Sequence, residues 1–498
     1  MQRSTTSAVT PAISDFIAQQ FQPQNGEANH RQLCRLLQQG ILNGTLPGGT
    51  KLPPTRELAQ ELGIARNTVV HVYEQLASEG YVSTMVGRGT FITDTVPDQG
   101  GDYQNLPLRP PSRQDLLSGR GADLVNYAGA AKQQWGAFVP GVPDVTLFPF
   151  RTWVNIGKQV WRKPAADLLT YPTSAGYLPL RQAIADYLRA ARGVNCSAEQ
   201  VLITTGTHQS LRLAAHMLAE PGERVWLEDP GYWGARSLLR SEGLELIGVE
   251  VDAEGMHPSP YQMQRLVPRL IVVSPSHQYP LGSVMSLTRR RQLLQYAQAT
   301  DAWVLEDDYD SEFRFGCKPL QSLQGLDASG RVLYLGTLSK TMYPGLRISY
   351  MVVPPDLVDS LTTGLIELYR EGAYTTQAIL AEFIAQGHFA SHIRRMRTVY
   401  SRRRALLIDA IRAQFGDTLP VLGDNAGLHL VISLPDGCDD QAISAHALHH
   451  GVLARPLSLY YHDLQHAKRG LLLGYACVPE GDIARHFATV ANAIRAYL

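Results

Sequence analysis

The residues best suited to chemistry lie in four separated runs, and each follows a predicted strand. Thr204-Thr205-Gly206-Thr207-His208-Gln209-Ser210 leads from a strand into a helix, where free backbone amides and hydroxyls can hold a phosphate dianion. Glu306-Asp307-Asp308-Tyr309-Asp310 stands at the C-terminal end of an apolar run, where open α/β sheets present their ligand groups. A carboxylate there can keep a pyridine nitrogen protonated and so preserve an electron sink, and a tyrosine two residues on can bond a phenolic ring oxygen. Thr337-Leu338-Ser339-Lys340-Thr341-Met342-Tyr343-Pro344-Gly345-Leu346-Arg347 follows another apolar strand. A lysine amine near cationic groups has a lowered pKa and can form a Schiff base, and Arg347 can neutralise phosphate. Asp229-Pro230-Gly231-Tyr232 supplies an aromatic residue that can stack on a heteroaromatic ring. Singly, these runs read as a helix cap, a solvated acidic loop, a solvated lysine and a core tyrosine. Together they suit one phosphorylated, aldehyde-bearing aromatic group.

The elements that must position them form two unlike segments in a chain of 498 residues, which at about 100 to 200 residues per domain has room for roughly three units. Between Asp94 and about Leu124, Pro97, Pro107, Pro110 and Pro111 lie among Gly, Asp, Gln, Ser and Arg, which predicts a flexible linker over 95–124. After it, apolar runs at 200–205, 224–227, 270–274, 302–306, 331–336 and 348–353 predict buried parallel strands separated by helices, an α/β domain. From about Gln377, helices mixed with strands at 427–434 and 470–476 predict a smaller α+β lobe.

Before the linker, Leu33, Leu36, Leu37 and Ile41 recur at helical spacing, and Thr55 is placed to cap a second helix that Gly63 ends. A third helix starts near Ala65 with Val69, Val72, Tyr73 and Leu76 on its apolar face, and Met85-Val86-Gly87-Arg88-Gly89 makes a glycine-rich hairpin tip. This helix-turn-helix plus wing carries Arg66, Asn67 and Thr68 at the start of the third helix, where side chains meet base edges. Arg56 is placed for backbone phosphate, and Arg88 and Gly89 for a minor groove. From His30 to Thr93, six Lys or Arg face four acids, a net of about +2, so placement rather than bulk charge carries the prediction of DNA binding.

Lys plus Arg total 45 and Asp plus Glu total 45, so no broad basic field exists, and a nucleic acid needs a local patch. Cys34, Cys196, Cys317, Cys438 and Cys477 are scattered and never paired as Cys-x-x-Cys, which favours reduced thiols in cytoplasm over a disulfide framework or a metal site. No signal-peptide core and no apolar run near the roughly 18 residues of a membrane span occurs, so the expectation is a cytoplasmic protein with no membrane partner.

From about Val139 onward the four runs resemble the fold-type I pyridoxal-phosphate aminotransferases and occur in that family's chain order, joined by Tyr171-Pro172-Thr173-Ser174-Ala175-Gly176-Tyr177-Leu178-Pro179-Leu180-Arg181. The resemblance implies pyridoxal 5'-phosphate as cofactor, with Lys340 as its Schiff-base lysine, Asp307 on the pyridine nitrogen and Tyr309 on the phenolic oxygen. It also implies Gly206, Thr207, Thr337 and Arg347 on the phosphate and Tyr232 over the ring. Tyr171 resembles the tyrosine that reaches the neighbouring subunit's phosphate, which implies a homodimer. Two runs depart from the family: His277-Gln278-Tyr279-Pro280-Leu281-Gly282 has Tyr279 where Asn is usual, and Leu471-Leu472-Leu473-Gly474-Tyr475 lacks the usual carboxylate-binding arginine, for which Arg455 and Arg469 are candidate substitutes.

The run from His30 to Thr93 resembles a GntR-type winged helix-turn-helix, and both halves together resemble the MocR-type subfamily of GntR regulators. That implies three parts: a mostly α DNA-binding head with a β-hairpin wing over 29–94, the linker, and an aminotransferase-like effector domain over 125–498. Within the last, a large lobe covers about 165–375 and a small lobe about 376–498. The implied function is transcriptional regulation of operator DNA in response to a small amine, an amino acid or the cofactor itself, sensed at Lys340. The competing expectation is an active aminotransferase carrying an accessory DNA-binding domain.

Overall fold

The computed structural model describes residues 13, 17–22, 28–94, 116–126, 134–171, 175–315, 321–370 and 372–498, which fall into two compact units, Met1–Pro111 and Ser112–Leu498. Most of the expected linker, 95–115, lies outside the described residues, while Gly119–Asn126 within and just beyond it forms a helix.

The first unit contains α1 (Asn29–Leu42), α2 (Thr55–Leu62), α3 (Arg66–Ser78), β1 (Val82–Met85) and β2 (Gly89–Ile92). Leu33, Leu37 and Ile41 of α1 converge with Leu58 and Leu62 of α2 and Val69, Val72 and Leu76 of α3, all buried, as their i, i+3, i+4 spacing dictates. Ile13, Ile17 and Phe21, to which the sequence reading assigned no role, complete this core. Helix α2 starts one residue earlier than expected. Pro54 is its N-cap, its carbonyl accepting from the amides of Glu57 and Leu58 at 2.9 and 3.0 Å, so Thr55 is the first helical residue rather than the cap. In the hairpin Val82 pairs with Ile92 and Met85 with Gly89. Gly89 has φ +113°, and a Cβ there would lie 2.7 Å from Lys51 Cε, so the wing requires glycine at this turn.

The second unit is built on an eight-stranded sheet of β3 (Val201–Thr204), β4 (Arg224–Asp229), β5 (Glu245–Asp252), β6 (Gly255–Met256), β7 (Leu270–Val273), β8 (Trp303–Asp308), β9 (Val332–Thr337) and β10 (Ser349–Val352), in the order β3-β10-β9-β8-β7-β4-β5-β6. Strands β5, β4, β7, β8 and β9 are parallel, as expected, but β10 is antiparallel to both neighbours. Its four residues are buried whichever way it runs, so its apolar run looks like that of a parallel strand. The reversal has a consequence for the site: residues just before β10 lie at the same sheet edge as residues just after β3 and β9, Ser349 being level with both Thr204 and Thr337.

A second sheet, β11 (Val421–Leu422), β12 (His429–Ser433), β13 (Arg455–Pro456) and β14 (Gly470–Gly474), is antiparallel in the order β11-β12-β14-β13. The segment before the large sheet joins this second sheet through a Phe138–Gly474 bridge, and the helix His388–Phe415 through a buried Arg403–Asp144 pair at 2.8 Å. No helix among the described residues is long and apolar enough to cross a membrane.

Candidate functional site

The sheet edge formed by the ends of β3, β8 and β9 and the start of β10 brings Gly206, Asp307, Tyr309, Thr337, Lys340 and Arg347 to one end of the fold. Gly206 precedes helix α4 (Thr207–Leu218), of which Thr207 is the first residue; the amides of Gln209 and Ser210 return to the Gly206 carbonyl at 3.0 and 3.2 Å, while those of Thr207 and His208 precede the first intrahelical bond. A Cβ at Gly206 would sit 2.8 Å from Arg347 Nη2, which fixes the guanidinium directly over the helix N-terminus. Arg347 itself is left-handed, φ 52° and ψ 41°. Thr337 Oγ1 accepts from Ser349 Oγ at 2.8 Å and from the Ser339 amide at 3.2 Å, leaving its own proton to donate. A guanidinium, free amides and a hydroxyl in one concave turn match a phosphate dianion.

Lys340 Nζ donates to the Gly141 carbonyl at 2.8 Å. Burial lowers its pKa, against the opposing pull of Asp310 and Asp307, which favours the neutral, nucleophilic amine. Gly141 belongs to Val139-Pro140-Gly141-Val142-Pro143, a proline-glycine turn whose role the sequence reading missed.

The acidic run is not a solvated loop. Asp308 forms a buried ion pair with Arg192 at 2.7 Å and accepts the Tyr334 hydroxyl at 2.5 Å. Glu306 accepts the amides of Leu323 and Gln324, each at 2.8 Å, and Asp310 pairs with His277 Nδ1 at 3.0 Å. Asp307 differs: its Oδ1 is buried without a partner, and burial followed by Asp308 pushes its carboxyl up to about 7. An unsatisfied buried carboxylate oxygen costs about 1–3 kcal/mol, so this atom fits a donor such as a pyridinium N–H. Tyr309 donates or accepts at His277 Nδ1, 3.0 Å away, and its ring meets Tyr279 edge-on at 5.8 Å.

Tyr232 shares a 2.9 Å hydrogen bond with His208 Nε2, which fixes the ring expected to stack. The phosphate run thus also supplies, through His208, the partner of this ring. Tyr279, at the position where the resemblance expects Asn, directs its hydroxyl to Tyr460 of the small lobe at 3.0 Å, so it does not stand in for an amide at the phenolic oxygen. Of the two candidate arginines, Arg469 pairs with buried Asp440 at 3.6 Å, while Arg455 has a buried Nε without a partner and acts electrostatically on Lys340. Tyr171 is 87% exposed. The residues present therefore fit pyridoxal 5'-phosphate at its aldehyde carbon, ring nitrogen, phenolic oxygen and phosphate.

One pH dependence follows. Below about pH 7 the Asp307 carboxyl carries the proton that a carboxylate–pyridinium contact needs; above it, that proton must come from solvent. In Asp307→Asn the amide donates without titrating. The ratio of wild-type to variant cofactor affinity is therefore expected to be flat below pH 7 and to fall by up to about tenfold per unit above it, measured by fluorescence titration.

In the head, Arg66, Asn67 and Thr68 occupy the first turn of α3, and Arg56 lies in the first turn of α2. Arg56, Arg66, Asn67 and Arg88 are exposed, and none of the three arginines forms an ion pair among the described residues. Their charge is free for a polyanion. Arg56→Ala is expected to weaken binding to all duplexes alike and to reduce the salt slope by about one, whereas Arg66→Ala should cost about 1–3 kcal/mol on operator DNA and relax its specificity. Fluorescence anisotropy on operator and scrambled duplexes at several salt concentrations distinguishes the two.

Comparison with known proteins places both units. Residues 29–92 match the model of bacterial regulatory proteins of the gntR family, and residues 145–471 match aminotransferase class I and II. The chain is 40% identical to the probable rhizopine catabolism regulatory protein MocR of Rhizobium meliloti over 449 residues, 90% of each chain. It is 32% identical to the HTH-type pyridoxine biosynthesis transcriptional regulator PdxR of Corynebacterium glutamicum, over 93% of this chain and 95% of that one. Among solved structures, α-aminoadipate aminotransferase LysN of Thermus thermophilus, complexed with N-(5'-phosphopyridoxyl)-L-leucine, aligns with a TM-score of 0.68 at 26% identity, covering 76% of this chain and 99% of that one. The chain belongs to the MocR-type subfamily of GntR regulators, DNA-binding transcriptional regulators that join a winged helix-turn-helix to a pyridoxal-phosphate-binding domain of the aminotransferase class I and II fold.

Proposed function

We propose that this regulator is a cytoplasmic homodimer that reads a small amino compound, or the supply of the cofactor, at Lys340 and converts it into a change in operator binding. The observation that carries the reading is the combination of a complete cofactor cradle with Leu472 and Tyr279 at the two positions where the family's catalysts carry Arg and Asn. When bound, pyridoxal phosphate supplies an aldehyde that condenses with primary amines and a pyridinium that withdraws electrons. The chain's own residues do the rest. Arg347, with the amides at Gly206 and Thr207, neutralises and orients the phosphate, and Asp307 holds the proton on the ring nitrogen. Desolvation lowers the pKa of the Lys340 amine, which lies 2.8 Å from the Gly141 carbonyl, and so favours its neutral, nucleophilic form. Tyr309, held by His277, would serve the phenolic oxygen of a bound cofactor, while Tyr279 is committed to Tyr460.

The two lobes meet where Gly231 donates to the Tyr460 carbonyl at 3.0 Å and Asp229 accepts the His462 amide at 2.6 Å, so ligand binding beside Tyr232 and Tyr279 is coupled to this seam. Tyr171, exposed here, supports a dimer in which it serves the neighbouring site.

The competing reading, an active aminotransferase, is separated by multiple-turnover transamination with a panel of amino donors and keto acids. The regulator reading expects less than one turnover per site, or slow turnover, while the same amines shift operator binding. Sustained turnover with no change in operator binding overturns it.

A further inference from the structure

His277 and Asp310 are both buried, and three contacts converge on one atom of the imidazole. His277 Nδ1 lies 3.0 Å from Asp310 Oδ1, 3.2 Å from Asp310 Oδ2 and 3.0 Å from the Tyr309 hydroxyl. The other ring nitrogen, Nε2, is buried without a hydrogen-bond partner among the described residues. A neutral imidazole has one N–H and one lone pair. With the proton on Nε2, the Nδ1 lone pair would face a carboxylate and the Nε2–H would be a buried donor with no acceptor, a loss at both ends. A second proton on the ring would leave the same Nε2–H orphaned. The proton therefore belongs on Nδ1, where the carboxylate and the tyrosine oxygen both accept it. A hydroxyl oxygen that accepts from Nδ1–H cannot give its own proton back to that atom, so the Tyr309 O–H is free to donate elsewhere.

The small lobe holds the ring in this orientation. Gly427, with φ +79°, passes so close that a Cβ there would lie 2.1 Å from His277 Cε1 and 2.6 Å from Asp310 Oδ2, and its carbonyl accepts the Tyr475 hydroxyl at 2.7 Å. A Cβ at Gly282 would lie 3.1 Å from His277 Nε2. The His429 ring of β12 stands 5.4 Å from that of His277, and its Nε2 bonds the Pro280 carbonyl at 3.0 Å. Burial, then His277, pushes His429 down to about 4, so the neighbouring imidazole is neutral. Burial, then Asp310, holds the Tyr309 phenol well above its ordinary value, so it keeps the proton it would donate. Tyr279, Asp307 and Glu228 act on that phenol in the same direction, and Asp310 acts on Lys340 as well.

Tyr279 is committed to Tyr460, which leaves the phenolic oxygen to Tyr309. We propose that His277, its ring proton fixed on Nδ1 by Asp310, is a positioning residue that makes the Tyr309 hydroxyl a donor toward the phenolic oxygen of a bound cofactor. The inference rests on Tyr309 as the partner of that oxygen and adds the pair that stands behind it. Donation from Nδ1–H into the tyrosine oxygen also polarises the O–H bond, which strengthens the contact that hydroxyl makes.

The test uses the full-length, cofactor-loaded protein and reads the pH midpoint of its visible absorbance band. As pH rises, the lysine-bound cofactor loses the proton shared between the lysine nitrogen and the phenolic oxygen, and the oxygen takes up the full negative charge. A donor at that oxygen stabilises the deprotonated form, so a weaker donor raises the midpoint. Tyr309→Phe is expected to raise it by about one pH unit, and His277→Gln, whose amide nitrogen falls near the Nε2 position, by about half a unit, or roughly threefold in proton affinity. His277→Asn, whose amide nitrogen can occupy the Nδ1 position, should stay near the wild type. In the Tyr309→Phe background His277→Gln should add nothing, because it acts through the missing hydroxyl. An equal shift in both backgrounds, or no shift from His277→Gln alone, overturns the inference and leaves Tyr309 at the phenolic oxygen. If Tyr309→Phe itself does not move the midpoint, that placement of Tyr309 fails. Should His277→Gln not fold, Asp310→Asn goes through the same cycle: its lost charge shifts both backgrounds alike, and only the part of the shift that disappears with Tyr309→Phe counts. The absence of such a part overturns the inference.

Discussion

Lys340→Ala is expected to abolish the visible absorbance band of the cofactor-loaded protein completely and, with it, every response of operator binding to amines. The variant loses one contact, Nζ to the Gly141 carbonyl, and also relieves a buried amine whose charged form is disfavoured, so its thermal midpoint should stay within a few degrees of the wild type. Pyridoxal phosphate should still bind, reversibly and more weakly, because Arg347, Asp307 and the helix N-terminus remain. Absorbance after gel filtration, paired with anisotropy on operator DNA, checks both halves. A variant that kept the band would move the covalent anchor elsewhere.

Arg347→Ala is expected to lower cofactor affinity by about 30-fold or more, since truncating one member of a desolvated charge pair costs about 2–5 kcal/mol and each 1.4 kcal/mol is tenfold. The backbone argument sharpens this prediction. Arg347 already has φ 52°, so alanine at the same position adds no new left-handed strain, and the fold should survive. DNA binding by the cofactor-free head should be unchanged. Equilibrium titration of the apo-protein with pyridoxal phosphate measures the loss, and near wild-type affinity would remove Arg347 from the phosphate site.

Much of this site was legible in the sequence because its residues sit at strand ends, and buried strands announce themselves as apolar runs. Asp307, Lys340 and Tyr232 are placed at strand ends by that signal, and the structure has them at the ends of β8, β9 and β4. Their positions needed no knowledge of strand order. Arg347 was found by its distance from Lys340, but why it meets Gly206 was not legible: that depends on β10 running antiparallel between β3 and β9, and a strand buried on both faces carries no mark of its direction. Strand β5, with Glu245 and Glu250 exposed among its apolar residues, went unpredicted because it lacks a continuous apolar run.

Other features depend on pairing across the chain, which spacing along it cannot reveal. The ladder register that sets Arg455 opposite Leu472 and the Arg469–Asp440 pair are two of them. The Tyr279–Tyr460 bond joins residues 181 positions apart. The opposite error concerns the acidic run, where the sequence alone made a solvated loop a fair alternative. Burial and individual partners for Glu306, Asp308 and Asp310 exclude it and single out Asp307.

The most direct test of a regulator that senses through Lys340 is the affinity of the full-length, cofactor-loaded protein for DNA from upstream of its own gene, with and without an amine that fully shifts the cofactor band. The account predicts that saturation changes operator affinity or bending in the wild type and changes neither in Lys340→Ala. Full saturation that leaves operator affinity, DNA bending and transcription all unaltered in the wild type would contradict it.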